Sequence, residues 1–265
     1  MPVTFLSAIN PIYTLSGFVV GFLVGMTGVG GGSLMTPILI LVFGISPASA
    51  VGTDLLYACL TKSFGVAIHG LNRTVEWRIV GRLAAGSIPA AVVTLLVLSL
   101  LDLHGAAGNS LFAKALGIAL LLTALALVFR RQFVEFRARH APAPDERRVR
   151  NLTVLVGAVL GVLVSVSSVG AGALGATALI LIYPHLTASK IAGSDIAHAV
   201  PLTLVAGVGH AFLGTIDYVL LWSLLAGSVP GILIGSSLVT RIPERVLRIM
   251  LASVLTLVAI RLVIA

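Results

Sequence analysis

Apolar stretches suited to a lipid bilayer follow one another along almost the whole of this 265-residue sequence. A helix rises ~1.5 Å per residue and the hydrocarbon core is about 30 Å thick, so a crossing takes about 20 apolar residues. Candidate segments fall at 10–28, 33–43, 48–70, 79–101, 111–129, 152–168, 173–183, 189–212, 219–240 and 246–264. Two of them, 33–43 and 173–183, are too short to cross alone. Only 10% of the residues are charged, against roughly 25% in a soluble domain. Such a chain cannot cover a surface that faces water. The sequence therefore predicts an all-α integral membrane protein, and its 28 glycines suit helices packed closely in lipid.

The formal charge of +8 would suggest nucleic acid in a soluble protein. Here its placement matters more than its sum. Arg73, Arg78 and Arg82 flank one loop, seven arginines lie within 130–150, and Arg241, Arg245 and Arg248 flank a third loop. Together they are 13 of the 17 basic residues. The loops at 102–110 and 213–218 have none. Basic loops stay in the cytoplasm. The expectation is a multi-pass protein of the inner membrane with a cytoplasmic linker at 130–151, both termini outside and no nucleic-acid partner. The N-terminal stretch has no Lys or Arg, so it lacks the charged region of a signal peptide and is expected to be retained. The one cysteine, Cys59, excludes a disulfide framework.

The chain also repeats itself. "GFLVGMTGVGGGSLMTPILIL" at 21–41 aligns with "GVLVSVSSVGAGALGATALIL" at 161–181, an offset of 140. Beyond one inserted residue the offset is 141. Gly52-Thr53-Asp54 then meets Gly193-Ser194-Asp195, His69 meets His210, Glu76-Trp77 meets Asp217-Tyr218, and Gly86-Ser87-Ile88-Pro89 meets Gly227-Ser228-Val229-Pro230. The expected domains are a first repeat at 1–129, the linker at 130–151 and a second repeat at 152–265. Each repeat holds five hydrophobic segments, the second being a short broken half-helix. An odd number of segments inverts the second copy in the membrane. Inverted repeats with Gly-interrupted segments at matching places point to a secondary transporter's binding site.

Residues 28–37, "GVGGGSLMTP", carry the strongest break. Pro37 has no amide hydrogen and does not suit the middle of a helix. It suits the first turn of a half-helix at 34–43, with Ser33 as N-cap. Gly170-Ala171-Gly172 does the same in the second copy, with no proline after it. Irregular backbone at this depth must be buried in protein or line a wet cavity. A half-helix start presents bare N–H groups and the positive end of the helix dipole, which suits an anion. Close helix packing is the alternative use of these glycines. On the anion reading the substrate-binding residues are Gly30, Gly31, Gly32, Ser33, Thr53, Lys62, Ser168, Gly170, Ala171, Gly172 and Ser194.

Asp54 and Asp195 each lie about 10 Å into the membrane, counted at ~1.5 Å per residue. A charge near the centre costs at least ~2.5–3.5 kcal/mol, so both acids are candidates for proton coupling. Their alternative role is to cap the broken helices. An ionised Asp repels a substrate anion, and protonation removes the repulsion. Lys62, eight residues after Asp54 on the same helix, either attracts the substrate, pairs with Asp54 or snorkels to the interface. His198 faces Asp195 one turn on. His69 and His210 fall near helix ends, where a histidine either relays protons or caps carbonyls. No nucleophile–base pair or metal-ligand spacing emerges, so neither an enzyme nor a resident cofactor is expected.

The stretch "GFLVGMTGVGGGSLMTPILILVFGISPASAVGTD" resembles the opening signature of the sulfite exporter TauE/SafE family of membrane proteins. "H-x6-E-W" with "GSIP", repeated as "H-x6-D-Y" with "GSVP", resembles that family's two half-repeats. The resemblance covers nearly the whole chain. It implies movement of a small sulfur-containing anion, sulfite or an organosulfonate, across the bacterial inner membrane without ATP. Asp54 stands where the family often has Ser or Asn. Expected partners are that anion, protons and membrane lipid, with a homo-oligomer left open. A passive anion channel and a carrier of a non-sulfur organic anion are the alternatives.

Overall fold

The computed structural model describes residues 10–27, 35–71, 73–100, 106–140, 145–237 and 244–264. Among them all regular structure is helical, in ten helices: α1 Pro11–Thr27, α2 Met35–Leu41, α3 Pro47–Leu71, α4 Trp77–Ser99, α5 Ala106–His140, α6 Glu146–Ser167, α7 Ala173–Ile182, α8 Ala188–Phe212, α9 Tyr218–Ser237 and α10 Glu244–Ile264. Each of the ten apolar segments expected from sequence corresponds to one of them. Five, within α4, α5, α6, α8 and α9, are long and apolar enough to cross a membrane. The glycine run 28–32 and Ser33 lie outside the described residues, and with them the candidates Gly30, Gly31 and Gly32.

Local chemistry sets the helix starts. Pro11 and Pro47 open α1 and α3, at the position where a missing N–H costs nothing. The Asn10 side chain accepts from the Ile12 amide at 2.9 Å, and Thr187 accepts from Lys190 at the start of α8. Pro37 sits in the seven-residue α2, buried with Met35, Thr36, Leu39 and Ile40. Between α6 and α7 the backbone turns sharply. Ser168 has φ 56°, Gly170 126° and Gly172 119°, the region that favours glycine.

Much of the arginine-rich stretch expected as the linker is helical. Helix α5 runs on to His140, and α6 already begins at Glu146. Arg, Gln, Glu and Ala are good helix formers, and no residue after Phe129 opposes the helix before Pro142. At 35 residues, α5 is about 50 Å long and outreaches the hydrocarbon core.

Glycines set the tightest helix contacts. Helix α1 lies along α9, and α4 along α6. A methyl group on Gly17 would stand 2.2 Å from the Leu224 carbonyl oxygen, and one on Gly21 2.4 Å from that of Ser228. The same distances, 2.2 and 2.4 Å, separate Gly157 from the Leu83 oxygen and Gly161 from that of Ser87. Gly227 meets the Thr14 oxygen at 1.8 Å and Gly86 that of Val154 at 1.9 Å. Every member of these pairs has its counterpart 140 or 141 residues away. Small residues four apart let backbones touch where lipid offers no hydrophobic drive. Helices α3 and α8 pack on each other, as do α5 and α10.

Candidate functional site

The α3–α8 pair carries the buried ionisable groups. Asp54 on α3 is fully buried. Its Oδ2 accepts from the Thr36 amide at 3.2 Å and from the Thr36 hydroxyl at 2.5 Å. Thr36 lies in the first turn of α2, so this carboxylate caps the short helix of its own half. Asp195 on α8 sits correspondingly against α7. A methyl on Gly175 would fall 1.9 Å from its Oδ1, and the Gly172 amide acts on the same carboxyl group. One oxygen of each acid, Oδ1, is buried without a hydrogen-bond partner.

Lys62 is 6% exposed, which excludes a snorkelling side chain. Its ammonium donates to the Ala171 carbonyl at 3.2 Å, reaching from α3 across to the α6–α7 break. From there it acts electrostatically on both Asp195 and Asp54. The structure thus brings together one cation, two acids and a strained backbone turn. Ser168 joins them: its hydroxyl lies near Asp54 and has no partner. His198, fully buried, shares a 2.8 Å hydrogen bond between Nε2 and the Ser87 hydroxyl, while Nδ1 has no partner.

Other candidates have structural partners. The Thr53 hydroxyl accepts from the Asp217 amide at 3.0 Å, and that of Ser194 from the Glu76 amide at 2.9 Å. These hydroxyls hold the loops that start α9 and α4. His210 is held at both ring nitrogens, Nδ1 by Thr215 and Nε2 by the Ser165 carbonyl, each at 2.9 Å. A carbonyl accepts only, so Nε2 carries the proton and the Thr215 hydroxyl donates to Nδ1. His69 falls in α3, and its side chain lies outside the described residues. Replacing His210 with alanine leaves the Ser165 carbonyl without its ring donor, at about 1–3 kcal/mol, while the Thr215 hydroxyl keeps its 3.1 Å bond to the residue-210 carbonyl. Thermal unfolding of purified His210→Ala should therefore begin several degrees lower, an expectation set by roughly 2–4 °C per kcal/mol.

Sequence reasoning missed Tyr57, Ser87 and Ser228. The Tyr57 hydroxyl faces Ser228, and neither oxygen has a partner. Tyr57 and His198 are 141 apart, as are Ser87 and Ser228, so the repeat register contained the signal. Gly175 was missed too. Gly175→Ala should displace the Asp195 carboxylate, because its methyl would occupy the oxygen's place. Transport in vesicles should fall at least about tenfold if that acid acts there, with the unfolding temperature little changed because a side chain yields more readily than backbone.

Among the described residues no group of three or more His, Cys, Asp or Glu could hold a metal ion. A 340 Å³ cavity lies between the start of α4, the start of α6 and the loop joining α7 to α8.

The family model for the sulfite exporter TauE/SafE matches residues 13–262, a span that takes in both short helices and every group named above. The chain belongs to this family. Its relatives include the probable membrane transporter protein YjnA of Bacillus subtilis, 42% identical over 253 residues covering 94% of this chain and 98% of that one. Another B. subtilis protein, the probable membrane transporter YdhB, is 26% identical over 87% of this chain and 91% of its own. The probable membrane transporter MJ0441 of Methanocaldococcus jannaschii is 25% identical over 92% of each chain. No solved structure matches this TauE/SafE family member. Family and relatives together indicate a membrane transporter of the TauE/SafE type.

Proposed function

We propose that the protein is a secondary transporter of a small sulfur-containing anion, sulfite or an organosulfonate, coupled to protons and working across the bacterial inner membrane. Its substrate site lies where the two short helices begin, near the membrane midplane. The observation that carries this reading is Lys62, buried between Asp54 and Asp195 and anchored on the α6–α7 break. With both acids ionised, this group has a net charge of −1. A substrate anion would raise that to −2 in a medium where water cannot screen it. Taking up one proton on either acid restores the balance. Asp54 also holds the Thr36 amide that an anion would need. Protonation weakens that cap and frees the donor, so anion and proton favour each other at one place.

The two halves act as inverted copies in this reading. Support comes from the exchange of partners noted above: Thr53 holds the Asp217 loop while Ser194 holds that of Glu76, and the glycine contacts pair off in the same register. In this reading the 130–151 stretch faces the cytoplasm, which its arginines support. An inverted pair of broken helices around a central site suits alternating access.

The test uses protein reconstituted in liposomes and a 2-hydroxyalkanesulfonate, which stays ionised where sulfite would exchange protons itself. An inward sulfonate gradient should drive proton entry. A channel would instead pass electrogenic current without proton movement. Asp54→Asn should keep sulfonate binding and lose its pH dependence. Unchanged pH dependence in both Asp54→Asn and Asp195→Asn would remove the coupling step.

A further inference from the structure

We infer that the mouth on the arginine-stretch side carries an anion-recruitment site built on Arg82 and Arg78, whose equivalent positions at the opposite mouth hold Ser223 and Val219. The inference rests on the anion-transport reading and adds to it a second, outer site with a sidedness.

The 340 Å³ cavity is the place. Glu76, Arg78, Arg82, Glu146, Tyr183 and His185 line it. Its volume exceeds that of a sulfite or small sulfonate several times over, leaving room for bound water. Glu146 is the first residue of α6, which puts the cavity on the side where 130–150 emerges. Beneath it lies the segment of α8 that carries Asp195. A methyl on Gly193 would stand 2.7 Å from the Thr74 carbonyl oxygen, and Ser194 holds the Glu76 amide. The cavity and the deep acid are therefore separated only by a short stretch of tightly packed backbone.

Arg82 is placed to meet an anion there. Its side chain is 20% exposed and its two contacts are long: 3.3 Å to the Tyr183 hydroxyl and 3.5 Å to Glu146, itself 78% exposed. A guanidinium has five donors in a planar fork, suited to two oxygens of one oxyanion. Glu146 is thus a weak, exposed partner that an anion displaces with little loss. Tyr183 is fixed from behind by a 2.9 Å hydrogen bond with Thr153, so it holds the guanidinium at the cavity wall. A salt bridge between Glu76 and Lys190 flanks the same opening.

The opposite mouth has different chemistry at the equivalent positions. Arg82 corresponds at offset 141 to Ser223, whose hydroxyl accepts from the Asn10 amide at 3.0 Å and donates to the Val219 carbonyl at 2.7 Å. Arg78 corresponds to Val219, and Tyr183 at offset 140 to Phe43, which packs edge-on against Tyr13 at 5.0 Å. At these equivalent positions the guanidinium fork belongs to one face alone. Arg78, Arg82 and Lys190 outnumber Glu76 and Glu146 around this opening, and the surplus positive charge raises the local concentration of an approaching anion.

The experiment measures sulfonate uptake by right-side-out and everted membrane vesicles. Gln132→Cys with a membrane-impermeant maleimide assigns the face, since the native Cys59 is buried. Arg82→Gln should raise the half-saturating concentration on the arginine-stretch face about tenfold, the weight of one charge-assisted hydrogen bond, and leave the other face unchanged. Arg82→Lys should recover part of the loss. Glu146→Gln, which frees the guanidinium, should act oppositely and lower that concentration. A merely structural Arg82 would shift both faces alike or alter only the amount of protein. Equal shifts on both faces, or no shift in Arg82→Gln, would overturn the inference while sparing the transporter reading. A wild-type protein that moves neither sulfonate nor sulfite from either face would defeat both.

Discussion

Replacing Gly227 with valine should force α1 away from α9, lower stability sharply and abolish transport. Its first added carbon would stand 1.8 Å from the Thr14 carbonyl oxygen and 2.7 Å from the Phe18 amide nitrogen. Both are backbone atoms inside a helix, so no rotamer change relieves the clash. One turn on, Gly231 is also held closely, 2.4 Å from the Phe18 oxygen, and prevents α9 from tilting away. Overpacking a core typically costs about 1–3 kcal/mol, and a branched side chain against fixed backbone belongs at or beyond the upper end. At roughly 2–4 °C per kcal/mol, the unfolding temperature of the purified protein should fall by around 10 °C. Gly86→Val should do the same at the α4–α6 contact, where the Val154 oxygen is 1.9 Å away. Gly81→Val makes the control, because nothing lies within 4 Å of its added carbon. If Gly227→Val unfolds within a degree or two of the parent, the close α1–α9 contact is wrong.

Lys62→Gln should eliminate anion binding while the protein still folds. The ammonium is the one basic group within reach of both buried acids among the described residues. Removing it leaves two carboxyl groups to govern the site, and any ionised one repels the substrate. Breaking a buried charge pair costs about 3–5 kcal/mol, which in affinity is at least about a hundredfold. The fold survives because the acids can neutralise themselves with protons, so the unfolding temperature should recover towards that of the parent as pH falls. Isothermal titration with the sulfonate, beside unfolding curves at two pH values, reads both effects. Binding within threefold of the parent would show that Lys62 serves only to hold the Ala171 carbonyl.

Much of the fold was legible because a bilayer restricts what backbone can do. Water is absent, so apolar length predicts helices, and each of the ten segments became one. Gly170–Gly172 marked a helix limit because a positive φ is a local property. The run at 130–150 was read as a linker because charge signals departure from lipid, yet charge does not oppose a helix that has already left it. Only Pro142 and Pro144 interrupt the propensity.

The site was legible in part. Asp54, Asp195, Lys62 and His198 stood out since ionisable groups in lipid are costly. What each one touches was not readable. Thr53 and Ser194 were expected at the substrate, and they hold amides of Asp217 and Glu76, partners more than a hundred residues away. His210 was left between relay and cap, and the partners on both ring nitrogens favour a structural role. Tyr57 and Ser228 carry no charge, so nothing in their own neighbourhoods announced them.

The sequence by itself determined that this chain lives in a membrane as helices, that it is written twice, and where its second copy breaks. Those follow from hydropathy, repetition and backbone stereochemistry, all of which act over a few residues. Only the tertiary structure decided that Lys62 of one half reaches the break of the other, and that Asp54 closes on Thr36. The fork of Arg82 likewise faces a cavity on one mouth alone only once α4, α6 and the α7–α8 loop have met. Such facts depend on which surfaces come within a few ångströms, and hydrogen bonds and short-range charge effects have no strength until that distance is set.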